Sequence, residues 1–283
     1  MSFIALLILG LLMLNKIKSD KFSKLRSIIQ NYGSAVVAYS GGIDSTLLSY
    51  VTHHILAQKS LMITVKSEFI TDQELKEALE LAEKYGFNHT ILNLNVLDNV
   101  AVTKNDPQRC KYCKELIFGQ ITELAKQKGY QYIFDGSNVD DISDYRPGFE
   151  AIKKLGVKSP FIEAGFTKSD IRNLAKTLEL PIWNKPALAC LASRIPYETT
   201  ITQQNLQQVE QAESCLNELG YSGFRVRHHG KIARIELNQS DIESFIAKHS
   251  NEINIKLKKL GYNYVCLDLE GYRTGSLNEF AGK

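Results

Sequence analysis

A glycine-rich loop between an apolar run and a helical segment is the feature that most constrains this chain. The run from Ala35 to Ala38 is β-prone, and the segment from Leu47 to Val51 has helical spacing. The loop between them consists of Ser40, Gly41, Gly42, Ile43, Asp44, Ser45 and Thr46. In such a strand–loop–helix unit the glycines let the backbone approach an anion, and the hydroxyl groups and helix N-terminus donate hydrogen bonds. The loop therefore predicts a phosphate site, against the alternative of an ordinary strand-to-helix turn.

Alternating strand and helix patterns around this loop predict an α/β fold with a parallel sheet covered on both faces. We expect strands at 35–38, 61–65, 89–94 and 130–135, and helices at 21–32, after Asp72, at 111–128 and at 167–178. Ligands bind beyond the carboxyl ends of the strands in such sheets. The loop and the segment 135–138 both follow strands, so we expect them at the same edge. The longer polar segment 136–148 is expected to form a wall or lid of the site.

The pattern changes after Pro196 and predicts a smaller second domain. A helix at 202–219, two strands joined at 228–231, a helix at 240–260 and a last strand at 264–269 form an α+β unit. We therefore divide the chain into an N-terminal extension (1–15), a nucleotide-binding α/β domain (16–195) and a C-terminal α+β domain (196–283).

Composition sets mild limits on the function. The 283 residues carry a formal net charge of +3 and no basic tail, so a nucleic-acid partner is not expected. The apolar run from Phe3 to Leu14 is shorter than the roughly 20 residues of a spanning helix, and lysines follow rather than precede it. We expect a cytoplasmic protein, with membrane association of this run as the alternative. The six histidines show no ligand spacing and are expected in solvated or capping roles.

The five cysteines favour metal or redox chemistry in a reducing compartment over a disulfide framework. Cys110 and Cys113 form a Cys-x-x-Cys pair at a helix start, which suits a redox dithiol, half of a zinc site or part of an iron–sulfur site. Cys190 is a third candidate thiolate. Cys215 and Cys266 lie in apolar patterns and are expected in the core.

Charged residues of the second domain offer a candidate anion site. Glu213 lies one residue from the apolar stripe of its helix, and Arg225 and Arg227 share one face of a strand. Paired arginines suit phosphate or carboxylate recognition, and a surface ion-pair cluster is the alternative.

Several motifs together closely resemble the LarE family of ATP-dependent sulfur transferases. The Ser-Gly-Gly-x-Asp-Ser pattern of the loop alone resembles the pyrophosphate loop of the N-type ATP pyrophosphatases (the PP-loop enzymes) in general, and the motifs of the second domain make the match specific. The matching stretches are 38–46, 144–148, 183–185, 193–194, 225–227, 232–236, 267–269 and 271–273. The resemblance runs from about residue 20 to the C-terminus and so covers all of the chain except the apolar leader.

The resemblance implies a two-step reaction in the biosynthesis of the nickel-pincer nucleotide cofactor of lactate racemase. ATP adenylates a carboxylate of a pyridinium biscarboxylate mononucleotide, pyrophosphate leaves, and sulfur then displaces AMP to give a thiocarboxylate. ATP and Mg²⁺ are the implied cofactors, and Asp44 is the residue expected to contribute to Mg²⁺ binding. The residues implied in nucleotide binding beyond the loop are Arg194, Glu213, Arg225 and Arg227.

The cysteines decide which variant of the family this chain resembles. Some members sacrifice a single cysteine, whose position falls here on Ala189, with Cys190 one residue further on. Cys110, Cys113 and Cys190 instead resemble the variant that holds a 4Fe–4S cluster, in which an open iron carries a replaceable sulfide. The implied partners are a small nucleotide substrate, sulfide or another sulfur donor, a nickel-inserting protein that receives the product, and further copies of this chain.

Rival functions share parts of the pattern. A tRNA thiolase has the same loop and can have three cluster cysteines, but it should carry a basic surface for RNA. A non-catalytic nucleotide-binding module would bind ATP without releasing pyrophosphate and would not need the three cysteines. A ligase fed by an amidotransferase would need ammonia from a partner, because no glutaminase domain is evident.

Overall fold

A computed structural model describes residues 10–142, 147–186 and 189–273. Contacts divide the chain into two compact units. Unit 1 comprises Met1–Ser67, Asp72–Leu94 and Cys110–Leu188, and unit 2 comprises Glu68–Thr71, Asn95–Arg109 and Ala189–Lys283. The sequence offered a single boundary near residue 196, whereas the contacts group two earlier segments with the C-terminal part of the chain.

Helices and strands alternate through most of unit 1, as the sequence predicts, and further helices and strands form unit 2. The strands are β1 (Ala35–Ala38), β2 (Ser60–Lys66), β3 (His89–Asn93), β4 (Ile133–Phe134), β5 (Arg225–His229), β6 (Ile232–Glu236) and β7 (Tyr264–Leu267). The helices are α1 (Asp20–Tyr32), α2 (Ile43–Leu56), α3 (Asp72–Lys84), α4 (Val100–Thr103), α5 (Arg109–Gln127), α6 (Pro147–Lys154), α7 (Pro160–Ala164), α8 (Lys168–Thr177), α9 (Gln203–Glu218), α10 (Gln239–Lys248) and α11 (Ser250–Lys259).

Unit 1 is built on a parallel four-stranded sheet of order β3-β2-β1-β4. In β1, Val37 belongs to one buried cluster and Val36 to another, and both side chains are fully buried. Successive residues of a strand point to opposite faces, so the sheet is covered by apolar side chains on both sides. The predicted α/β fold with a parallel sheet is thereby confirmed. Strand β4 is shorter than the predicted range 130–135.

Three of the six histidines are buried, whereas the sequence predicted solvated or capping roles. His53 and His54 are 1% and 4% exposed, because α2 is enclosed on most of its surface. His54 Nδ1 lies 2.7 Å from the carbonyl oxygen of Tyr50. His228 of unit 2 is also buried, so solvated roles are wrong for these three.

Unit 2 contains a three-stranded sheet of order β5-β6-β7, in which β5 and β6 are antiparallel and β6 and β7 are parallel. The smaller α+β unit predicted at the C-terminal end is thereby confirmed. The single helix predicted at 240–260 is wrong: His249 leaves the helical region (φ −126°) and separates α10 from α11. Its ring packs edge-on against Tyr221, with ring centroids 5.7 Å apart.

The apolar N-terminal run lies partly outside the described residues, since residues 1–9 are not described. Residues 10–15 are helical, and Leu14 is 2% exposed within the core of unit 1. In the part of the chain that the structure describes, no helix is long and apolar enough to cross a membrane.

Candidate functional site

The glycine-rich loop connects the carboxyl end of β1 to the start of α2. Gly41 has φ +72°, a conformation that favours glycine, and a Cβ atom there would lie 2.7 Å from the Cβ atom of Ala78. Gly42 is the N-cap of α2 and supplies no side-chain hydrogen bond to its first turn. The backbone N–H groups at this helix start are therefore available to an anion, which the positive end of the helix dipole also favours.

The hydroxyl groups of the loop fix its conformation. The Ser40 N–H donates to Ser45 Oγ at 3.1 Å, and the two serine hydroxyls lie 3.0 Å apart. Ser45 Oγ also donates to the carbonyl oxygen of Gly42 at 3.2 Å. Thr46 is fully buried and Ile43 is 2% exposed, so only Ser40 of these side chains faces solvent extensively. The hydroxyls predicted as phosphate donors at positions 45 and 46 thus lie inside the loop.

Asp44 occupies the first turn of α2 and presents an unsatisfied carboxylate oxygen. Its Oδ1 atom is buried and has no hydrogen-bond partner among the described residues, while Oδ2 accepts a hydrogen bond from Lys168 Nζ. A buried oxygen without a partner is costly unless something binds it. Carboxylate oxygens are ligands that Mg²⁺ prefers, so Asp44 fits the role of a magnesium ligand.

The segment after β4 lies against the loop, as expected from the shared edge of the sheet. A Cβ atom on Gly136 would lie 3.0 Å from Asp44 Cβ and 3.1 Å from the Ser45 backbone nitrogen. Asp135 beside it is 6% exposed, and burial raises the pKa of its carboxyl although hydrogen bonds from Ser137 and Ser159 oppose the shift. The predicted wall 136–148 is described only in part, because residues 143–146 are not described.

Lys185 lies on the other side of the loop. Its Nζ atom donates to Glu77 Oε2 at 2.7 Å and lies 3.5 Å from the carbonyl oxygen of Gly41. Although burial opposes it, hydrogen bonds from Lys185 and Gln73 hold the pKa of Glu77 below its usual value. Unit 1 thus brings two lysines, Lys168 and Lys185, to the loop, each paired with a carboxylate.

Unit 2 brings together the four charged residues that the sequence singled out. Arg194 and Glu213 form a buried bidentate pair, with both N–O distances 2.9 Å. Glu213 Oε1 also accepts a hydrogen bond from the Val226 N–H at 3.0 Å. Glu213 thereby ties helix α9 to strand β5 and neutralises Arg194.

Arg227 and Arg225 lie on the same strand but in different environments. Arg227 forms a buried bidentate pair with Glu236, at 2.9 and 2.7 Å, and donates to the Ser193 carbonyl oxygen at 2.9 Å. Arg225 lies over the ring of Tyr272, 5.1 Å from its centroid, and in the described ranges it forms no ion pair. Burial and the nearby Arg194 lower the pKa of Arg225. Among the described residues, Arg225 is thus the one of the three arginines (194, 225 and 227) that forms no ion pair with a carboxylate.

The cysteines divide between the two units. Cys110 and Cys113 lie in the first two turns of α5 in unit 1, and Cys190 precedes the short 3₁₀ turn Leu191–Arg194 in unit 2. Cys110 and Cys190 are exposed and Cys113 is half-buried. Within the described ranges, no three His, Cys, Asp or Glu side chains are grouped so that they could hold a metal ion. Thiolates are the ligands that iron–sulfur clusters use, so each of the three cysteines has the donor chemistry of a cluster ligand.

The expectation for the two remaining cysteines is wrong in one case. Cys215 is half-buried and packs against the core of unit 2, but Cys266 is exposed. Within the described residues strand β7 pairs with β6 alone, and Cys266 lies on the face of β7 that the core does not cover.

Comparisons with known proteins place this chain among a defined set of relatives. The model of the NAD synthase family matches residues 18–122. An uncharacterised protein of Synechocystis sp. is 40% identical over 92% of this chain and 99% of its own length. The pyridinium-3,5-bisthiocarboxylic acid mononucleotide synthase of Lactiplantibacillus plantarum is 38% identical over 92% of this chain and 95% of its own length. The chain belongs to the LarE family. An uncharacterised protein of Methanocaldococcus jannaschii is also 35% identical over 84% of this chain and 90% of its own length.

Three residues of this LarE-family chain contact predicted site residues but were not themselves predicted from the sequence. Nothing in the sequence indicates a role for Lys168 beyond its place directly after the helix cap Thr167. Glu236 and Tyr272 lie within matched motifs, but nothing in their spacing indicated that they contact Arg227 and Arg225.

Proposed function

We propose that this protein uses ATP to activate a carboxylate of a pyridinium-3,5-biscarboxylate mononucleotide and then replaces the activated oxygen with sulfur. The observation that carries the proposal is the uncapped start of α2 at Gly42, with the unsatisfied Asp44 oxygen in the same turn. Membership of the LarE family supports the substrate class, since the relative from L. plantarum is named for the bisthiocarboxylic product.

The first step is the activation of the carboxylate. A substrate carboxylate oxygen attacks the α-phosphorus of ATP, the bond from that phosphorus to the bridging oxygen breaks, and pyrophosphate leaves. The N–H groups of the first turn of α2, from Ile43 onwards, stabilise the negative charge on the leaving group, and Asp44 contributes to holding Mg²⁺ there. The product is an acyl adenylate, in which AMP is a good leaving group.

The substrate phosphate is proposed to bind at Arg225. Arg194 and Arg227 are each held by a glutamate, whereas the Arg225 guanidinium keeps its charge available for an anion. Glu213 and Glu236 then act by fixing the arginines around it. A bidentate guanidinium–phosphate contact gives both affinity and orientation.

The second step is the transfer of sulfur. Cys110, Cys113 and Cys190 are proposed to hold a 4Fe–4S cluster, which when bound supplies one iron without a protein ligand, to which an exogenous sulfide can bind. A carbon–sulfur bond forms at the acyl carbon while its bond to the AMP oxygen breaks. The products are a thiocarboxylate and AMP, and no oxidant or reductant is consumed.

Anaerobic purification with iron and sulfide analysis tests the proposal, beside assays of pyrophosphate release and thiocarboxylate formation. We expect Cys190→Ala to lose iron and sulfur transfer while pyrophosphate release continues, because adenylation does not need the cysteines. Cys266→Ala is the matched control, since Cys266 is also exposed and is outside the proposed cluster set.

Two outcomes would contradict parts of the proposal. Iron-free protein that still transfers sulfur while Cys190 becomes dehydroalanine would replace the cluster with a sacrificial cysteine. Thiolation of tRNA in place of the mononucleotide would assign the protein to the tRNA thiolases, and ATP binding without pyrophosphate release would leave a nucleotide-binding module.

A further inference from the structure

Lys168 is a residue of the loop site to which the two-step reaction gives no role. It lies in the first turn of α8, and its ammonium group donates to Asp44 Oδ2 across 124 positions of sequence. The pair is neither buried nor fully exposed, with 30% and 27% of the two side chains accessible. Among the residues that the structure describes, Asp44 therefore has a protein cation on one carboxylate oxygen and no hydrogen-bond partner on the other.

The backbone at Lys168 is fixed more firmly than its side chain. Its N–H donates to Asp140 Oδ2 at 2.8 Å, and Thr167 and Asp170 form a capping box around the helix start. The lysine side chain itself has four rotatable bonds and three donors, so its ammonium can move between acceptors while the backbone stays in place.

We propose that Lys168 is a positioning residue that keeps divalent cations off Asp44 until ATP arrives. Without nucleotide its ammonium neutralises the carboxylate. When Mg²⁺ enters with ATP, the ammonium moves from Asp44 to the negatively charged phosphates, and Asp44 becomes available to the metal. The inference rests on the proposed function, because it needs the loop to bind the ATP phosphates.

The Lys168 ammonium and a divalent cation compete for Asp44 because both are positively charged. An ammonium in contact with the carboxylate lies within a few ångströms of any cation bound to the same group, and like charges at that distance repel each other strongly near a protein surface. The triphosphate of ATP removes this conflict, because its oxygens accept both the ammonium and the metal. The geometry therefore predicts that metal and nucleotide bind together rather than independently.

Binding of Mn²⁺ to the whole protein, followed by electron paramagnetic resonance without nucleotide, tests the inference. We expect K168M to bind Mn²⁺ at least about tenfold more tightly than the unsubstituted protein. K168R should bind it as weakly as the unsubstituted protein, because the positive charge is retained. The double variant K168M with D44N should lose the gained site, which shows that the metal lies on Asp44.

K21M is the matched control. Lys21 pairs with Asp170 of the same helix at 2.6 Å, so its loss removes a comparable ion pair away from the loop. Its Mn²⁺ binding should equal that of the unsubstituted protein. If circular dichroism shows that K168M is unfolded, K168Q takes its place, since glutamine also removes the charge.

Equal Mn²⁺ affinities of K168M and the unsubstituted protein would overturn the inference, as would tighter binding in K21M or in the D44N double variant. Calorimetric titration of the unsubstituted protein with ATP and Mg²⁺ separates this failure from that of the proposed function. If ATP binds but K168M gains no metal, only the role of Lys168 is wrong. If ATP does not bind at all, the proposed function and the inference fail together.

Discussion

Gly41 combines two constraints at one position of the loop. Its φ of +72° is unfavourable for residues with a Cβ atom, and its Cα atom approaches the backbone of Ala78 so closely that a Cβ atom would lie 3.0 Å from the Ala78 Cα. Backbone conformation and packing against α3 therefore both require glycine at this point.

Gly41→Ala is expected to destabilise the protein and to displace the loop. The positive φ alone costs about 1–2 kcal/mol, and the contact with Ala78 adds to it. Gly129→Ala is the matched control, because Gly129 has a similar φ of +78° but nothing within 4 Å of an added Cβ atom. Urea unfolding measures both variants, and an equal loss of stability would show that the contact with Ala78 contributes nothing.

His53 is expected to make stability depend on pH in the acidic range. Burial and the neighbouring His54 lower the pKa of His53 to about 4 from 6.5. The unfolded chain therefore binds more protons than the folded protein between these values, so the free energy of unfolding falls as the pH drops from 6.5 to 4. For this one residue the loss is at most about 3 kcal/mol.

Comparison with His53→Leu isolates this contribution, because leucine cannot titrate. Denaturant unfolding at pH 7 and pH 4.5 should show a smaller loss of stability in the variant than in the unsubstituted protein. Equal losses of unfolding free energy in both proteins would mean that the pKa of His53 is not lowered in the folded protein.

At the scale of elements, Asn105 connects two segments of unit 2. The side chain is fully buried, and its Nδ2 donates to the carbonyl oxygens of Pro196 and Thr199 at 2.7 and 2.9 Å. Its Oδ1 accepts a hydrogen bond from Arg109, which also donates to the Ala192 carbonyl oxygen at 3.0 Å. The segment 95–109 thus holds the turn that carries Arg194.

Asn105→Ala should lower the free energy of unfolding by at least about 2 kcal/mol, because several buried groups lose their partners. Asn105 also has φ +60°, which asparagine tolerates better than alanine. Asn217→Ala, on the exposed face of α9, should change it by less than about 0.5 kcal/mol. A similar effect of both substitutions in thermal or chemical unfolding would contradict the connecting role of Asn105.

At the scale of the whole molecule, neither unit is formed by one continuous stretch of the chain. Unit 2 includes residues 68–71 and 95–109 as well as the C-terminal part. In unit 1, Leu14 of the apolar N-terminal run packs in the same core as Phe22 and Leu25 of α1. The end of this run thus contributes to the core of unit 1.

Leu14→Ala should destabilise unit 1 by about 2–5 kcal/mol, as expected for a leucine removed from a packed core. Leu12→Ala is the matched control, since Leu12 lies two residues away and is 54% exposed. It should change stability by less than about 0.5 kcal/mol. Equal effects, measured by chemical unfolding of the full chain, would show that Leu14 does not contribute to the core.

The sequence by itself determined the parallel sheet, the position of the loop at its edge and the helix start that follows the two glycines, because these depend on residues close together in the chain. Apolar periodicity and the two glycines act locally and are visible without coordinates. Helices starting at 167 and 202 were predicted by the same local rules, and α8 and α9 begin one residue after the caps Thr167 and Thr202.

Only the tertiary structure decided which charges neutralise one another. Asp44 pairs with Lys168, far away in the chain. Arg194 pairs with Glu213 and Arg227 with Glu236, whereas Arg225 forms no ion pair among the described residues. The exposure of Cys266 followed from its position on the face of β7 that the core does not cover. An ion pair or an exposed face depends on which segments the fold brings into contact, and no local pattern of residues specifies that contact.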